Sequence, residues 1–467
     1  MVQLLRLLEM TPQRRILLVS ANRHREPYPV YPLGLSYLKS YLRRRMPHYE
    51  VLLFDCNLGS VAQLEEFIRR EQPDMVGVSL RNVDGANSLR EGNFLPGYLE
   101  ITQAVRRASQ APLLIGGAGF SIFPHYFMEA TGADYGLAGE GEESLAQLLE
   151  ALDEGREPHG IDGLFVRGGS PEEEGYPRPR RCYLRSLDVE FEEEWVAYYW
   201  KYSGMLNIQT KRGCPYGCVY CSYPVIDGRT MRTLDAAKIV DDILRLKQRM
   251  GVDYLFFTDS VFNICPEFNA QLAEELIRRE AGIRWGAYFT PAGLGREELE
   301  LYRRSGLTHI EFGTESFDDA TLEAYGKRFT FDDVLHASEA ALAANVYYAH
   351  FLILGGVGET MQSIGRSIDN SRHIRHSVFF PYVGMRIYPH TRLHTMAVEQ
   401  GVVAADDTLI EPRYWLCPDF DLEQVRTAAR MTGKAWVFPD DEDNALMDKL
   451  RIERNRKGPL WEYLRKP

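Results

Sequence analysis

Twice along this chain, short apolar runs alternate with longer amphipathic stretches, and a segment with neither pattern separates the two series. A buried parallel strand reads as a short apolar run, and a crossover helix as a longer stretch with a period of about 3.6 residues. Each series therefore predicts an α/β unit, a parallel sheet covered by helices. The first series occupies residues 14–165, with strands at 16–20, 51–55, 75–80, 112–116 and 135–138 and helices at 33–44, 64–70, 101–108 and 143–152. This is the pattern of a doubly wound sheet, whose ligands sit beyond the carboxyl ends of the strands.

The second series runs from 206 to 400, with strands at 206–210, 254–258, 284–289, 309–313, 347–354 and 379–387. A helix at 234–250 is followed by Gly251, which suits a left-handed helix end. Thr330 with Asp333 reads as a capping box. Six strand–helix units cannot close an eight-stranded barrel, so an open, partial (β/α)6 barrel is expected. Between the two units, residues 166–205 carry Gly168, Gly169, three prolines and the run Glu172, Glu173, Glu174, the composition of a linker. Its end, Trp195-Val196-Ala197-Tyr198-Tyr199-Trp200, is expected to pack between domains. Residues 1–13 read as a tail or short packing helix, and 401–467 as a small carboxyl-terminal cap.

Charge and cysteine usage narrow the function. The formal charge is −12, from 54 basic and 66 acidic residues, a field that repels phosphate backbones and argues against a nucleic-acid partner. Seven cysteines at low density do not form a secreted disulfide framework. No uncharged apolar run is long enough for a membrane span, and the first residues are too short and interrupted for a signal peptide. A cytoplasmic location is expected, where thiolates stay reduced and can hold metal.

Three of the thiols lie in one loop, Cys214-Pro215-Tyr216-Gly217-Cys218-Val219-Tyr220-Cys221, directly after a predicted strand. Soft thiolates favour iron–sulfur or zinc, and zinc would want a fourth protein ligand that the loop does not offer. Three thiolates on a cubane leave one iron open to an outside ligand. The CxxxCxxC spacing resembles the radical S-adenosylmethionine (SAM) superfamily. The resemblance implies a [4Fe-4S] cluster on Cys214, Cys218 and Cys221, with SAM bound to the open iron and cleaved to a 5′-deoxyadenosyl radical. Tyr220 fills the aromatic place before the last cysteine.

Flanking segments carry the same resemblance. Asp259 and Ser260, in Phe256-Phe257-Thr258-Asp259-Ser260, match the family's second-strand segment. Glu315, in Gly313-Thr314-Glu315-Ser316, matches the fourth-strand glutamate that bonds the cosubstrate. Gly355 and Gly356 match the turn after the fifth strand, with Val357 where proline is usual. Arg386 and His390, in Arg386-Ile387-Tyr388-Pro389-His390-Thr391, match the sixth-strand segment, with His390 in place of glycine and near the mouth. Of the other thiols, Cys56, Cys182 and Cys265 read as buried small hydrophobes, and Cys417 as a candidate hydrogen donor to a product radical.

The first unit resembles the Rossmann-like cobalamin (B12)-binding domains that precede some radical SAM modules. The matching positions are Gly34 at the first helix, Ser79 after the third strand, Gly116, Gly117 and Ala118 after the fourth, and Gly139, Glu140 and Gly141 after the fifth. The histidine that ligates cobalt in methionine-synthase-like domains is absent: the loop reads Asp55-Cys56-Asn57-Leu58-Gly59. The resemblance leaves Asn57, Leu58, Arg81 or a water to cover the lower face of the corrin.

Together these resemblances imply a cobalamin-dependent radical SAM enzyme, with methyl transfer to an unactivated carbon as the leading reading. The alternatives are a cyclisation, rearrangement or ring contraction with the same cofactors, a radical SAM enzyme without cobalamin, and a non-enzymatic iron–sulfur scaffold or sensor. A flavodoxin- or ferredoxin-type electron donor is implied, as is a small-molecule or lipid-like substrate that no motif names.

Overall fold

The computed structural model describes residues 14–89, 92–169, 188–440 and 449–465. The readings made on residues 1–13, on Cys182 and on the proline and glutamate part of the linker fall outside them.

The first unit is a six-stranded sheet: β1 (Arg14–Ser20), β2 (Tyr49–Asp55), β3 (Met75–Ser79), β4 (Leu113–Gly116), β5 (Tyr135–Leu137) and β6 (Leu164–Val166), in the order β2-β1-β3-β4-β5-β6. The first five pair in parallel, and β6, absent from the sequence reading, adds antiparallel to β5. β1 lies between β2 and β3, so the winding reverses there and opens a crevice at the carboxyl ends. Ile16, Leu17, Leu18 and Val19 in β1 are all buried, as a sheet covered on both faces demands.

The second unit begins with β7 (Leu206–Ile208) and the short antiparallel pair β8 (Lys211–Arg212) and β9 (Arg232–Thr233). It continues through β10 (Tyr254–Phe257), β11 (Arg284–Phe289), β12 (Leu307–Glu315), β13 (Tyr347–Leu354) and β14 (Val378–Val383). The predicted strand at 379–387 is in fact broken. Gly384, at φ +73, ends β14, and β15 (Met385–Arg386) turns away to pair antiparallel with β16 (Tyr414–Trp415). β17 (Ala435–Trp436), from the region read as a cap, joins the main sheet instead. The result is a seven-stranded parallel sheet, β17-β14-β13-β12-β11-β10-β7, with β17 and β7 as its two edges.

The two faces of this sheet differ. Trp285, Ala287 and Phe289 of β11, Ile310 and Phe312 of β12, and Leu352 and Leu354 of β13 are fully buried under helices. The alternate positions keep accessible surface towards the carboxyl ends: Asn207, Tyr288, Gly313, Glu315, Phe351, Ile353, Phe380 and Tyr382. Successive side chains of a strand point to opposite faces, so the less-buried set marks one hollow face. At the amino ends that face is filled: the Tyr254 hydroxyl lies 2.8 Å from His309 Nδ1, and the His309 ring packs edge-on to Trp461 at 5.2 Å.

The predicted caps hold. Thr330 and Asp333 form the capping box of helix Phe331–Ala343, and Gly251 closes helix Ala236–Met250 at φ +69. Trp195 and Tyr199, on helix Glu193–Ser203, pack against Tyr31 of the first unit, with ring centroids 6.3 and 5.6 Å apart. No helix among the described residues is long and apolar enough to cross a membrane.

Candidate active site

The cysteine loop leaves β8 through Gly213, whose φ is +92 and whose absent Cβ would lie 2.2 Å from the Thr230 carbonyl. Only glycine fits there. Backbone bonds then fix the curl: Cys214 N–H donates to Gly228 O (3.0 Å), Val219 N–H to Tyr325 O (3.0 Å) and Cys221 N–H to Cys218 O (3.3 Å). Gly326, at φ +75, brings the neighbouring loop onto Gly217, since a Cβ there would sit 2.8 Å from Gly217 O.

Cys214 is buried, and Cys218 and Cys221 are partly exposed. Burial, followed by the Cys218 and Cys214 charges, pushes the Cys221 thiol up to about 12. Burial raises Cys214 as well. Such thiols resist ionisation until a soft cation compensates the charge, as iron does. The three thiols share one tightly curled loop, a soft donor set that fits an iron–sulfur cluster.

Beside the thiols stands Glu315, where the β12–β13 register slips and the backbone adopts φ +67, a left-handed strain for a non-glycine residue. Its Oε1 accepts from the Tyr220 hydroxyl (2.7 Å) and from Lys327 Nζ (3.1 Å), which also donates to Gly313 O (3.2 Å). Burial works against the Lys327 charge, but Glu315, Cys218 and Cys221 outweigh it and raise its pKa. Both bonds fall on Oε1, and Oε2 has no protein partner among the described residues. Lys327 was missed in the sequence because no motif flags a lysine one residue past a helix-end glycine.

Ser260 donates to Gly213 O (2.8 Å) and so supports the loop. Its neighbour Asp259 corrects an expectation. It is 0 % exposed and accepts from Thr210 N–H (2.7 Å), Lys211 N–H (3.0 Å) and Lys211 Nζ (2.8 Å). It anchors the strand into the loop and cannot reach a ligand. Gly355 and Gly356 are likewise spent on packing. Both N–H groups donate to Glu359 Oε2, at 2.6 and 3.1 Å, and a Cβ on Gly356 would strike the Tyr325 hydroxyl at 2.3 Å. Arg386 is buried in an ion pair with Asp84 (2.9 Å) of the first unit and donates to Leu409 O (2.7 Å). It clamps the two units together and is not free for a cosubstrate. Cys417 sits in a hydrophobic cluster with Leu354, Ile364 and Val425, its backbone tied to Gly355 O (2.7 Å), so its thiol is enclosed away from the hollow. His390 is exposed, at φ +62, and partial desolvation of its ring lowers its pKa, with His394 and His125 adding to the effect. Cys56 is buried as expected, but Cys265 is only partly so.

In the first unit, Gly34, Ser79, Gly116, Gly117, Ala118, Gly139, Glu140 and Gly141 do come together, around a cavity of about 210 Å³ at the switch point. Gly34 faces open space, so any side chain there would occupy the cavity. Gly117, at φ +95, leaves 2.6 Å between a notional Cβ and Leu80 O. The far wall comes from the second unit: Gln209, Arg212, Ile226 and Asp227. Arg212 holds Glu142 through two bonds, 2.9 and 3.1 Å, and lies 3.2 Å from Glu140, which also pairs with Arg232. Desolvation opposes the Arg212 charge, but Glu142 and Glu140 more than offset it. Glu140 is therefore an inter-unit ion partner as well as a wall residue.

Asn57, Leu58 and Arg81 do not line this cavity. The Asn57 side-chain amide donates to the Tyr199 hydroxyl (3.1 Å), and its backbone carbonyl accepts from Arg25 (2.7 Å). Arg81 is exposed at the end of β3, and its charge reaches Tyr28 and Tyr223.

Residues 21–149 match the B12 binding domain family and residues 208–370 the Radical SAM superfamily. The tryptophan 2-C-methyltransferase of Streptomyces laurentii is 25% identical over 437 residues, covering 80% of this chain and 73% of its own. The solved radical SAM methyltransferase TsrM of Kitasatospora setae, with tryptophan substrate and a SAM analogue bound, superposes with a TM-score of 0.84 at 22% identity, covering 97% of each chain. A second TsrM structure, with cobalamin and a [4Fe-4S] cluster bound, matches at 25% identity and a TM-score of 0.73, covering 83% of this chain and 75% of that one. The chain is thus a radical SAM domain fused to an amino-terminal B12-binding domain, the pairing of the cobalamin-dependent radical SAM enzymes.

Proposed function

We propose that the protein is a cobalamin-dependent radical SAM methyltransferase that acts on an unactivated carbon of a small molecule. The single observation that carries this reading is the shared wall: Gln209 and Arg212, just before the cysteine loop, and Ile226 and Asp227, just after it, close the glycine-lined cavity of the B12-binding domain, so the segments flanking the cluster loop border the cobalamin site. When bound, the cluster with SAM supplies a hydrogen-abstracting radical, and cobalamin supplies a methyl group.

The chain's own residues hold and orient. Cys214, Cys218 and Cys221 would take three irons. Tyr220 and Lys327 fix Glu315, leaving Oε2 to accept from the ammonium or ribose hydroxyls of SAM. The cavity is smaller than the roughly 300–1,000 Å³ of a pocket for a whole drug-sized ligand, so it suits one arm of a larger cofactor. Arg81, exposed just past β3, would cover the corrin in preference to Asn57 and Leu58, whose loop is tied to Tyr199 and Arg25. The second sheet would act as a partial barrel around the substrate, screening the reacting carbon from water. A cytoplasmic setting and a flavodoxin- or ferredoxin-type donor complete the reading.

The test is anaerobic reconstitution with iron, sulfide and hydroxocobalamin, then incubation with dithionite and SAM. The expected result is a corrin spectrum that stays with the protein through gel filtration, and release of 5′-deoxyadenosine. A substrate product heavier by one CH2 separates methyl transfer from cyclisation or rearrangement. Protein that retains no corrin, or releases no 5′-deoxyadenosine, would sink the proposal.

A further inference from the structure

The hollow face of the second sheet holds a carboxyl group that none of the cofactor-binding roles uses. Glu311 lies two residues before Gly313 on β12 and so shares its face, and the charges of Glu311 and Glu315 both reach Tyr382 of β14. It is 4 % exposed, and its one hydrogen-bond partner among the described residues is Trp461 Nε1 (3.1 Å). Among the described residues no lysine, arginine or histidine pairs with it. Register sets Tyr288 of β11 directly beside it. Tyr288 keeps 37 % of its surface accessible, yet its hydroxyl is so enclosed that desolvation, then the Glu311 charge, holds its pKa well above the usual value. Accessible surface at depth is the signature of an internal hollow. Burial, and after it the Glu311 charge, also raises Tyr28, which reaches in from the first unit, and Tyr382 of β14. Phe351 and Phe380, stacked at 5.0 Å, form part of the same wall. Desolvation, only partly offset by the Trp461 bond, pushes the Glu311 carboxyl up to about 7, and a cation beside it would favour the charged form.

An aromatic wall around one unpaired carboxyl has the chemistry of an organic-cation site: ring faces attract a cation, and the carboxylate accepts its N–H. Resting on the proposed function, we propose that this hollow is the substrate pocket and that the substrate is an amine with an apolar or planar body, its nitrogen held by Glu311.

The probes are naphthylethylamine and its neutral twin naphthylethanol, measured by equilibrium dialysis against the reconstituted protein and its Glu311→Gln variant. Gln still accepts from Trp461, so the fold contact survives. The wild type is expected to bind the amine at least about tenfold tighter than the alcohol, the worth of a charge-assisted bond, and Glu311→Gln to abolish that preference. Equal binding of the two probes by the wild type, or a preference that survives Glu311→Gln, overturns the assignment. The wild-type comparison decides the matter even if the variant fails to fold. Release of 5′-deoxyadenosine, read in the same preparations, keeps the two claims apart: cleavage without amine preference defeats the pocket assignment, and preference without cleavage defeats the functional reading alone.

Discussion

The two sheets of this molecule share parallel pairing and helical cover but use their carboxyl ends differently. In the B12-binding domain helices cover the sheet, and the cavity lies at its edge, where the winding reverses and glycines replace side chains. In the radical SAM domain one face stays open, and the space is internal, lined by long side chains. An edge site is built by omission and depends on what is small. An internal site is built by placement and depends on which charges and rings face inward. Substitutions should therefore harm the first by adding atoms and the second by removing them.

The largest effect is expected from replacing Cys214, Cys218 and Cys221 together by alanine. Cluster absorbance and 5′-deoxyadenosine release should fall to background, and persistence of either would break the placement argument at its root. Next comes acidity. Burial, offset in part by bonds from Tyr325, Gly355 and Gly356, raises the Glu359 carboxyl to about 7. A carboxyl raised in the folded state stabilises it at low pH and loses that contribution as pH climbs from the unfolded value of 4.5 through about 7. Wild-type stability to urea should thus fall by up to roughly 3 kcal/mol from this group between about pH 4.5 and pH 8, and Glu359→Gln should flatten the decline. A variant with an unchanged pH slope would mean that the turn does not bury this charge.

Lys327→Met removes the cation beside Glu315. SAM affinity, read by equilibrium dialysis, should drop about thirtyfold, in line with a charged hydrogen bond worth roughly 2 kcal/mol. Unchanged affinity would make Lys327 a packing residue only. The smallest effect sharpens the other half of the comparison. Gly34→Leu adds a side chain where nothing lies within 4 Å, so the fold should tolerate it. Corrin retention should weaken about tenfold or more, while 5′-deoxyadenosine release stays within about twofold. Equal loss of both would show that the edge cavity also serves the cluster.

Much of the site was legible before any coordinates. The thiol spacing placed the cluster loop, Glu315 proved to stand beside it, and the edge glycines proved to share one cavity. Several residues singled out as cofactor-binding or catalytic candidates are held by partners within the fold. Asp259 is consumed by Lys211, Arg386 by Asp84, Gly356 by Tyr325, and Cys417 by a hydrophobic cluster. A motif tells which residues stand at a strand end, and not whether a partner has already claimed them. Glu311 was open to detection, because it shares a strand face with Gly313, and charge on a buried strand invites a question.

By itself the sequence determined the two sheets, the cluster loop and the glycine edge, because apolar periodicity, thiol spacing and backbone freedom are local properties. Only the tertiary structure decided which carboxylates are spent and which remain available. The Asp84–Arg386 pair spans 302 positions of the chain, and its two charges meet only after both sheets have folded and docked.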